Sequence, residues 1–139
     1  MDRLFLDANI LFSAADSADS PLLELWRLKK VLLFSSGYSL EEARRNLALL
    51  RPDRLSNLQQ LIAKVQLADA PPLATVPIEA RALPQKDLPI LLAAIEARAT
   101  HLLTADMRYF RPLRGKTVEG VLVLTPGDYL RTKGKSRRR

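Results

Sequence analysis

A short stretch near the start of the chain, LFLDANIL at residues 4–11, decides the fold. Its first three residues form an apolar run of strand length that ends in the carboxylate of Asp7. A charge at the tip of a buried strand is costly unless something compensates it. A second apolar run, Leu102-Leu103, is also followed by an acid, Asp106. Two strands that each deliver a carboxylate to the same edge of a sheet suggest a metal site.

The composition limits the kind of site that the chain can build. With 139 residues, of which 47% are hydrophobic, the chain is long enough for one domain with a real core. The absence of cysteine excludes disulfides and thiolate metal sites. His101 is the only histidine, which argues against a histidine zinc site and against a Ser-His-Asp triad. Metal chemistry must therefore use oxygen ligands, which favour Mg²⁺ or Mn²⁺.

The chain shows no sequence sign of membrane insertion or export. No apolar stretch approaches the roughly 18 residues that a membrane-spanning helix needs. The first apolar run begins a strand at once and has no signal-peptide pattern. We therefore expect a cytoplasmic protein.

Positive charge is concentrated at the C-terminus. The net charge is +7, yet residues 131–139 hold six Lys or Arg and no acid, which leaves 16 basic against 15 acidic residues elsewhere. We expect one domain over residues 1–130 and a basic, disordered tail over residues 131–139. Such a tail is suited to attracting a polyanion, although it is equally consistent with a solubilising end.

Apolar periodicity predicts strands that alternate with helices along the chain. The predicted strands are residues 3–6, 31–34, 73–76, 100–104 and 118–124. The predicted helices cover residues 9–15, 21–30, 39–50, 52 to the prolines at 71–72, 87–98 and short turns at 106–109 and 126–130. Ser20 is expected to cap the second of these helices. Ser39 is expected to cap the third, in a capping box with Glu42.

This order predicts an α/β fold with three layers, in which helices cover both faces of a mostly parallel sheet of about five strands. In open sheets of this class, ligands bind beyond the carboxyl ends of the strands, where the strand order reverses. If the first and fourth strands are neighbours across that point, Asp7 and Asp106 converge.

Four acids are candidates for one site, namely Asp7, Glu42, Asp87 and Asp106. Each has a purely structural explanation, since Asp7, Asp87 and Asp106 can cap the helices that they begin and Glu42 can complete a capping box. Taken together they are more informative, because four carboxylates on one rim repel one another and bound divalent cations remove that conflict. A pair of metal ions could then activate a water and neutralise a phosphodiester.

The chain resembles PIN domains, most closely the VapC-like toxin ribonucleases and their relatives. Five stretches carry this resemblance over almost the whole chain and in the family's order: LFLDANIL (residues 4–11), SLEEARRNL (39–47), KDLPILLAA (86–94), LLTADMRYF (102–110) and GVLVLTP (120–126). Any one of these motifs is weak, whereas the ordered set is fairly specific.

The resemblance implies a PIN-like fold and a Mg²⁺- or Mn²⁺-dependent endoribonuclease that leaves a 5′-phosphate and a 3′-hydroxyl. Asp7 and Asp106 match the principal metal ligands, with Asp87 alongside. Glu42 matches the acid that binds a second metal or orients the nucleophilic water. It also implies an RNA substrate, a small antitoxin partner and a homodimer.

Further residues match supporting positions of the family. Thr104 matches a Ser or Thr that hydrogen-bonds the acidic site, and Asn9 matches a polar position beside the first acid. Ala105 departs from the family, which often has Gly there. Glu41 competes with Glu42, and we prefer Glu42 because it stands five residues before the apolar Leu47, as the family's Glu does.

Arginines near the acids are candidates for RNA contact, although for each single residue a solvated helix face or an ordinary basic loop is the better explanation. These are Arg44, Arg45, Arg108 and Arg111. The alternative functions are a catalytically silent RNA-binding or interaction module of the same fold, a housekeeping PIN nuclease that is not a toxin, and an acid-cluster phosphatase or flap-type nuclease. Intact acids argue against the first. The short chain offers no clamping elements for a flap nuclease.

Overall fold

A computed structural model describes residues 1–68, 77, 83 and 88–137 of the chain, the last four of them by backbone alone. Its centre is one six-stranded sheet in the order β3-β2-β1-β4-β6-β5. The strands are β1 (Asp2–Leu6), β2 (Val31–Ser35), β3 (Val65–Leu67), β4 (His101–Leu103), β5 (Thr117–Val118) and β6 (Val121–Leu124). All neighbouring strands run parallel except β5, which pairs antiparallel with β6.

Seven α-helices are assigned within the described residues, and short 3-10 turns precede or follow several of them. The helices are α1 (Ala8–Asp16), α2 (Glu24–Arg27), α3 (Gly37–Leu50), α4 (Leu55–Ile62), α5 (Leu88–Glu96), α6 (Met107–Phe110) and α7 (Pro126–Arg137). No helix in the described ranges is both long and apolar enough to cross a membrane.

The helices cover both faces of the sheet, because successive side chains of a strand point to opposite faces. Leu4 and Leu6 of β1 belong to a core that α1, α3 and α4 close on one face. Phe5, between them, belongs to a second core that α5 closes on the other face. All three side chains are fully buried. The predicted three-layer α/β/α architecture with a mostly parallel sheet is confirmed.

The strand order reverses between β1 and β4. The chain moves from β1 to β2 and β3 on one side, then returns to place β4 on the other side of β1. Phe5 pairs with Phe34 of β2 and with Leu102 of β4. The first and fourth strands are therefore neighbours, as the convergence of Asp7 and Asp106 requires.

The predictions for residues 52–76 need correction. The helix predicted from residue 52 to the prolines ends at Ile62, and Val65–Leu67 form β3 beside β2. Val65 fits the apolar spacing of the helix before it, but it is the one buried residue of β3. The predicted strand at residues 73–76 lies outside the described residues.

The predicted strand at residues 118–124 is a hairpin, so the sheet has six strands and not about five. Glu119 and Gly120 both have positive φ, at 49° and 84°, which is the backbone of a two-residue hairpin turn. This turn separates β5 from β6 and places β5 at the edge of the sheet.

Helix boundaries also differ at three places. The helix predicted to reach residue 30 starts as a 3-10 turn capped by Ser20 and ends at Arg27, since Leu28 is extended. The cap of α3 is Ser36, whose Oγ accepts a hydrogen bond from the Ser39 amide, so the predicted Ser39–Glu42 capping box is wrong. Helix α7 runs to Arg137 and not to residue 130, so the predicted boundary of the tail falls inside a helix.

Candidate active site

Asp7 lies at the carboxyl end of β1, beside the point where the strand order reverses. Its side chain is only 3% exposed. Oδ1 accepts a hydrogen bond of 2.7 Å from the amide of Ala8 and caps α1. The Asp7 amide donates to the carbonyl of Leu103 at 3.1 Å, which extends the pairing of β1 with β4 by one residue. The carboxylate is therefore held by backbone on both sides of the reversal.

Thr104 connects the two strand ends. Its side chain is fully buried, and its Oγ1 donates a hydrogen bond of 2.7 Å to Asp7 Oδ2. The same Oγ1 accepts a hydrogen bond of 3.1 Å from the amide of Asp106. One hydroxyl thus joins the carboxylate after β1 to the backbone of the acid after β4.

Asn9 makes a second connection between the same two turns. Its Nδ2 lies 3.3 Å from Asp7 Oδ2 and 3.4 Å from Thr104 Oγ1, and its Oδ1 accepts a 3.1 Å hydrogen bond from the amide of Ala105. Every polar atom of the amide side chain is therefore used at this rim. The Ala105 backbone, which replaces the glycine frequent in the resembling family, is held by this contact.

Asp106 lies half-buried at the start of α6. Its Oδ1 accepts a hydrogen bond of 3.2 Å from the amide of Arg108, so the residue caps this short helix. The capping explanation for Asp7 and Asp106 is therefore correct as far as it goes. Capping does not exclude metal binding, since a carboxylate has about four acceptor positions.

Glu42 lies on α3, the helix that follows the neighbouring strand β2. The ends of β1 and β2 are tied together by a hydrogen bond of 2.7 Å from Ser35 Oγ to the carbonyl of Leu6. Helix α3 then packs across α1, which begins at Asp7. Glu42 is half-buried and forms no hydrogen bond or ion pair within the described part of the chain.

Glu41 is engaged elsewhere. It is exposed, and its Oε2 accepts a hydrogen bond of 3.0 Å from Arg44 Nε. This hydrogen bond is the main reason why the pKa of Glu41 lies below its ordinary value. The two glutamates thus differ in exposure and in ion pairing, and the assignment of Glu42 as the second acid stays a prediction.

The oxygen donors at this rim suit a hard divalent cation. Asp7, Asp106, Thr104 and Asn9 offer only oxygen and amide groups, which Mg²⁺ and Mn²⁺ accept and soft metals disfavour. Among the residues that the structure describes, no three acids or histidines lie close enough together to hold a metal ion. Asp87, the fourth predicted acid, lies outside the described residues.

The arginines near the rim are of two kinds. Arg44 is paired with Glu41, and Arg108 lies over the Tyr109 ring at 5.8 Å. Arg45 and Arg111 are exposed, and neither forms an ion pair with a described residue. The charges of Arg45 and Arg111 therefore face solvent and are not neutralised by an acid among the described residues.

His101 lies at the opposite, amino end of β4. Its Nδ1 is 2.8 Å from Thr100 Oγ1, and its ring meets that of Tyr129 edge-on at 4.9 Å. The Tyr129 hydroxyl donates to Asp2 Oδ2 at 2.6 Å, and Lys133 Nζ lies 3.3 Å from the same oxygen. This cluster anchors α7 to the sheet away from the acids. The sequence carries no signal for it, because its members are far apart along the chain.

The comparisons with known proteins find the fold in solved structures only. No protein-family model and no curated protein matches the chain. VapBC2 from Rickettsia felis, in a crystal structure with a DNA fragment from the promoter, matches with a TM-score of 0.62 at 16% identity, over 88% of this chain and 98% of that chain. VapBC-1 from nontypeable Haemophilus influenzae matches with a TM-score of 0.59 at 15% identity, over 90% and 98%.

At this identity the similarity is one of fold. It extends over nearly the whole of the matched chains, and both of them come from VapBC structures. The PIN-like fold that the sequence motifs implied is therefore confirmed.

Proposed function

We propose that the chain is a metal-dependent endoribonuclease that hydrolyses RNA phosphodiesters and acts as the toxin of a type II toxin–antitoxin pair. The observation that carries the proposal is the joining of two strand ends at one rim. There, Thr104 and Asn9 link the buried carboxylate of Asp7 to the turn that presents Asp106. A buried carboxylate is expensive to maintain, and metal binding gives a reason for it.

Asp7 and Asp106 are proposed as the principal metal ligands. Asp87 is assigned beside them by its motif, and Glu42 is assigned to a second metal or to the attacking water. When bound, Mg²⁺ or Mn²⁺ supplies a water of lowered pKa and neutralises charge on the phosphodiester. Hydrolysis in this way leaves a 5′-phosphate and a 3′-hydroxyl.

The chain's own contribution is to hold these carboxylates in place before substrate arrives. Two donors, Thr104 Oγ1 and Asn9 Nδ2, point at Oδ2 of Asp7 and define the direction of that oxygen. Hydrogen bonds from neighbouring side chains to a metal ligand orient the ligand, and their loss weakens metal binding. Arg45, Arg111, Arg44 and Arg108 are proposed to attract the RNA backbone to the rim.

A small antitoxin is the proposed protein partner, and a homodimer is the proposed assembly. The support is that the solved structures with this fold are VapBC structures. Co-expression tests this part directly. Expression of the chain alone should arrest growth, and the product of a small adjacent gene should relieve the arrest. Normal growth on expression of active enzyme would instead indicate a housekeeping nuclease.

The nuclease activity is tested with purified protein and structured RNAs, including tRNA, in Mg²⁺, in Mn²⁺ and in EDTA. We expect cleavage in the metal buffers alone. Asp7→Asn should lower the rate at least about 100-fold, since removing an essential charge-stabilising group costs about that much or more. Asp19→Asn is the matched control, because Asp19 is an exposed acid beyond the end of α1.

Two results would contradict the proposal. One is cleavage that persists undiminished in EDTA, or no cleavage of any RNA in either metal. The other is an Asp7→Asn protein that cleaves as well as Asp19→Asn while binding metal normally.

A further inference from the structure

One side of α3 next to the candidate site carries an aromatic ring and a cation in line with Glu42. At 3.6 residues per turn, Tyr38, Glu42 and Arg45 fall within an arc of about 60°, and Leu49 continues the stripe. Tyr38 is 45% exposed and Leu49 is 83% exposed, whereas Glu42, at the inner edge of the arc, is half-buried. The stripe therefore leads from Glu42 outward to solvent.

The stripe starts at the carboxyl end of the sheet because of where α3 begins. Tyr38 is the second residue of α3, directly after the end of β2, and β2 is tied to the end of β1 through Ser35 and Leu6. Along the helix axis, Tyr38 lies about 6 Å before Glu42 and Arg45 about 4.5 Å beyond it. The ring and the guanidinium thus flank the proposed catalytic acid.

Other residues form the cap and the buried face of α3. Ser36 already caps α3, and the buried face of the helix is formed by Ser39, Ala43 and Leu47. An exposed aromatic ring at this position gains little from the core, although it offers a flat apolar surface to a nucleobase.

Arg45 differs from its neighbour Arg44 in its ion pairing. Arg44 is held by Glu41, which raises the pKa of its guanidinium, whereas Arg45 forms no ion pair with a described residue. The charge of Arg45 is therefore available to a phosphate at the edge of the stripe opposite Glu42.

We propose that Tyr38 and Arg45 form the substrate-binding wall of the site. Tyr38 stacks on a nucleobase next to the scissile phosphate, and Arg45 binds a neighbouring phosphate. A base that stacks on Tyr38 has left its own helical stack, so the wall selects unpaired nucleotides. The inference rests on the proposed function for its chemistry, while the binding itself requires no cleavage.

The test is RNA binding by the full chain in EDTA, followed by fluorescence anisotropy. The probes are a single-stranded RNA oligonucleotide with one 2-aminopurine and the same sequence in a duplex. Tyr38→Ala should weaken single-strand binding about 5- to 150-fold, the range expected for one lost base–aromatic stack. Tyr38→Phe should bind like the wild type, because it keeps the ring.

Two further variants separate stacking from charge. Arg45→Gln should weaken binding and lower the slope of log affinity against log salt by about 0.7, the value for one phosphate contact on a single strand. Leu49→Ala, on the same stripe but farther along α3, should change neither. Quenching of 2-aminopurine should be lost in Tyr38→Ala and retained in Tyr38→Phe.

The inference is overturned if folded Tyr38→Ala, with the thermal midpoint of the wild type, binds the single strand as tightly as the wild type. It is equally overturned if the wild type binds the duplex as tightly as the single strand, or does not bind the single strand at all. Its failure is distinct from that of the nuclease proposal. Binding that depends on Tyr38 without metal-dependent cleavage contradicts only the nuclease proposal, and cleavage that is indifferent to Tyr38 contradicts only the stacking wall.

Discussion

The sequence offers two explanations for each of Asp7 and Asp106, namely helix capping and metal binding. Each carboxylate caps the helix that it begins. The cap uses one oxygen of each carboxylate, Oδ1. The other oxygen of Asp7, Oδ2, accepts hydrogen bonds from Thr104 and Asn9.

Thr104 gives a prediction at this scale. Thr104→Val keeps the shape of the side chain and removes the hydroxyl that joins Asp7 to Asp106, so metal affinity and kcat/KM should fall about 10- to 100-fold. The lost hydrogen bond to a buried carboxylate should also cost about 1–3 kcal/mol of unfolding free energy. Metal titration and urea unfolding measure the two effects. Thr104→Ser, which keeps the hydroxyl, should approach the wild type; an equal loss in both variants would contradict this role.

At the scale of elements, strands were recognised where the apolar run is long and buried on both faces, as in β1 and β2. The three-residue β3 was missed, because only Val65 in it is buried and the rest is exposed. The α3 cap was misassigned for a related reason. The segment from residue 35 to 39 contains three serines. The end of β2, which its pairing with β1 and β3 defines, decides that Ser36 caps the helix.

The packing of β4 against α7 predicts a pH dependence of stability. Burial lowers the pKa of His101 below its ordinary value of 6.5, with a smaller contribution from Lys133 and an opposing one from Asp2. The folded protein thus binds this proton less tightly than the unfolded chain. Stability should fall as the pH drops through 6.5, and the loss is complete below the folded pKa.

Urea unfolding midpoints at intervals from about pH 7.5 to pH 5 measure this effect. His101→Phe removes the titration and keeps an edge contact with Tyr129, so its midpoint should vary less over this range. The acids with lowered pKa, Asp2, Glu41 and Asp128, titrate below this window and do not obscure it. An equally steep decline in His101→Phe would show that other groups are responsible.

At the scale of the whole molecule, positive charge is concentrated in residues 131–139. We predict that removal of residues 134–139 leaves the thermal midpoint unchanged, because the contacts of Tyr129 and Lys133 with Asp2 remain. Four Lys or Arg are lost with this segment. The salt slope of RNA binding should therefore fall by up to about 3, at about 0.7 per lost phosphate contact. An unchanged slope would mean that the C-terminal charges do not contact RNA.

The sequence by itself determined the layer architecture and the location of the acidic rim. Continuous apolar strands must be covered on both faces, and an acid directly after such a strand must lie at its carboxyl end. The tertiary structure decided what depends on pairing across long sequence distances. It joined Asp7 to Thr104 and Tyr129 to Asp2. These relations follow from strand order and from the direction of each side chain, which local patterns of hydrophobicity do not encode.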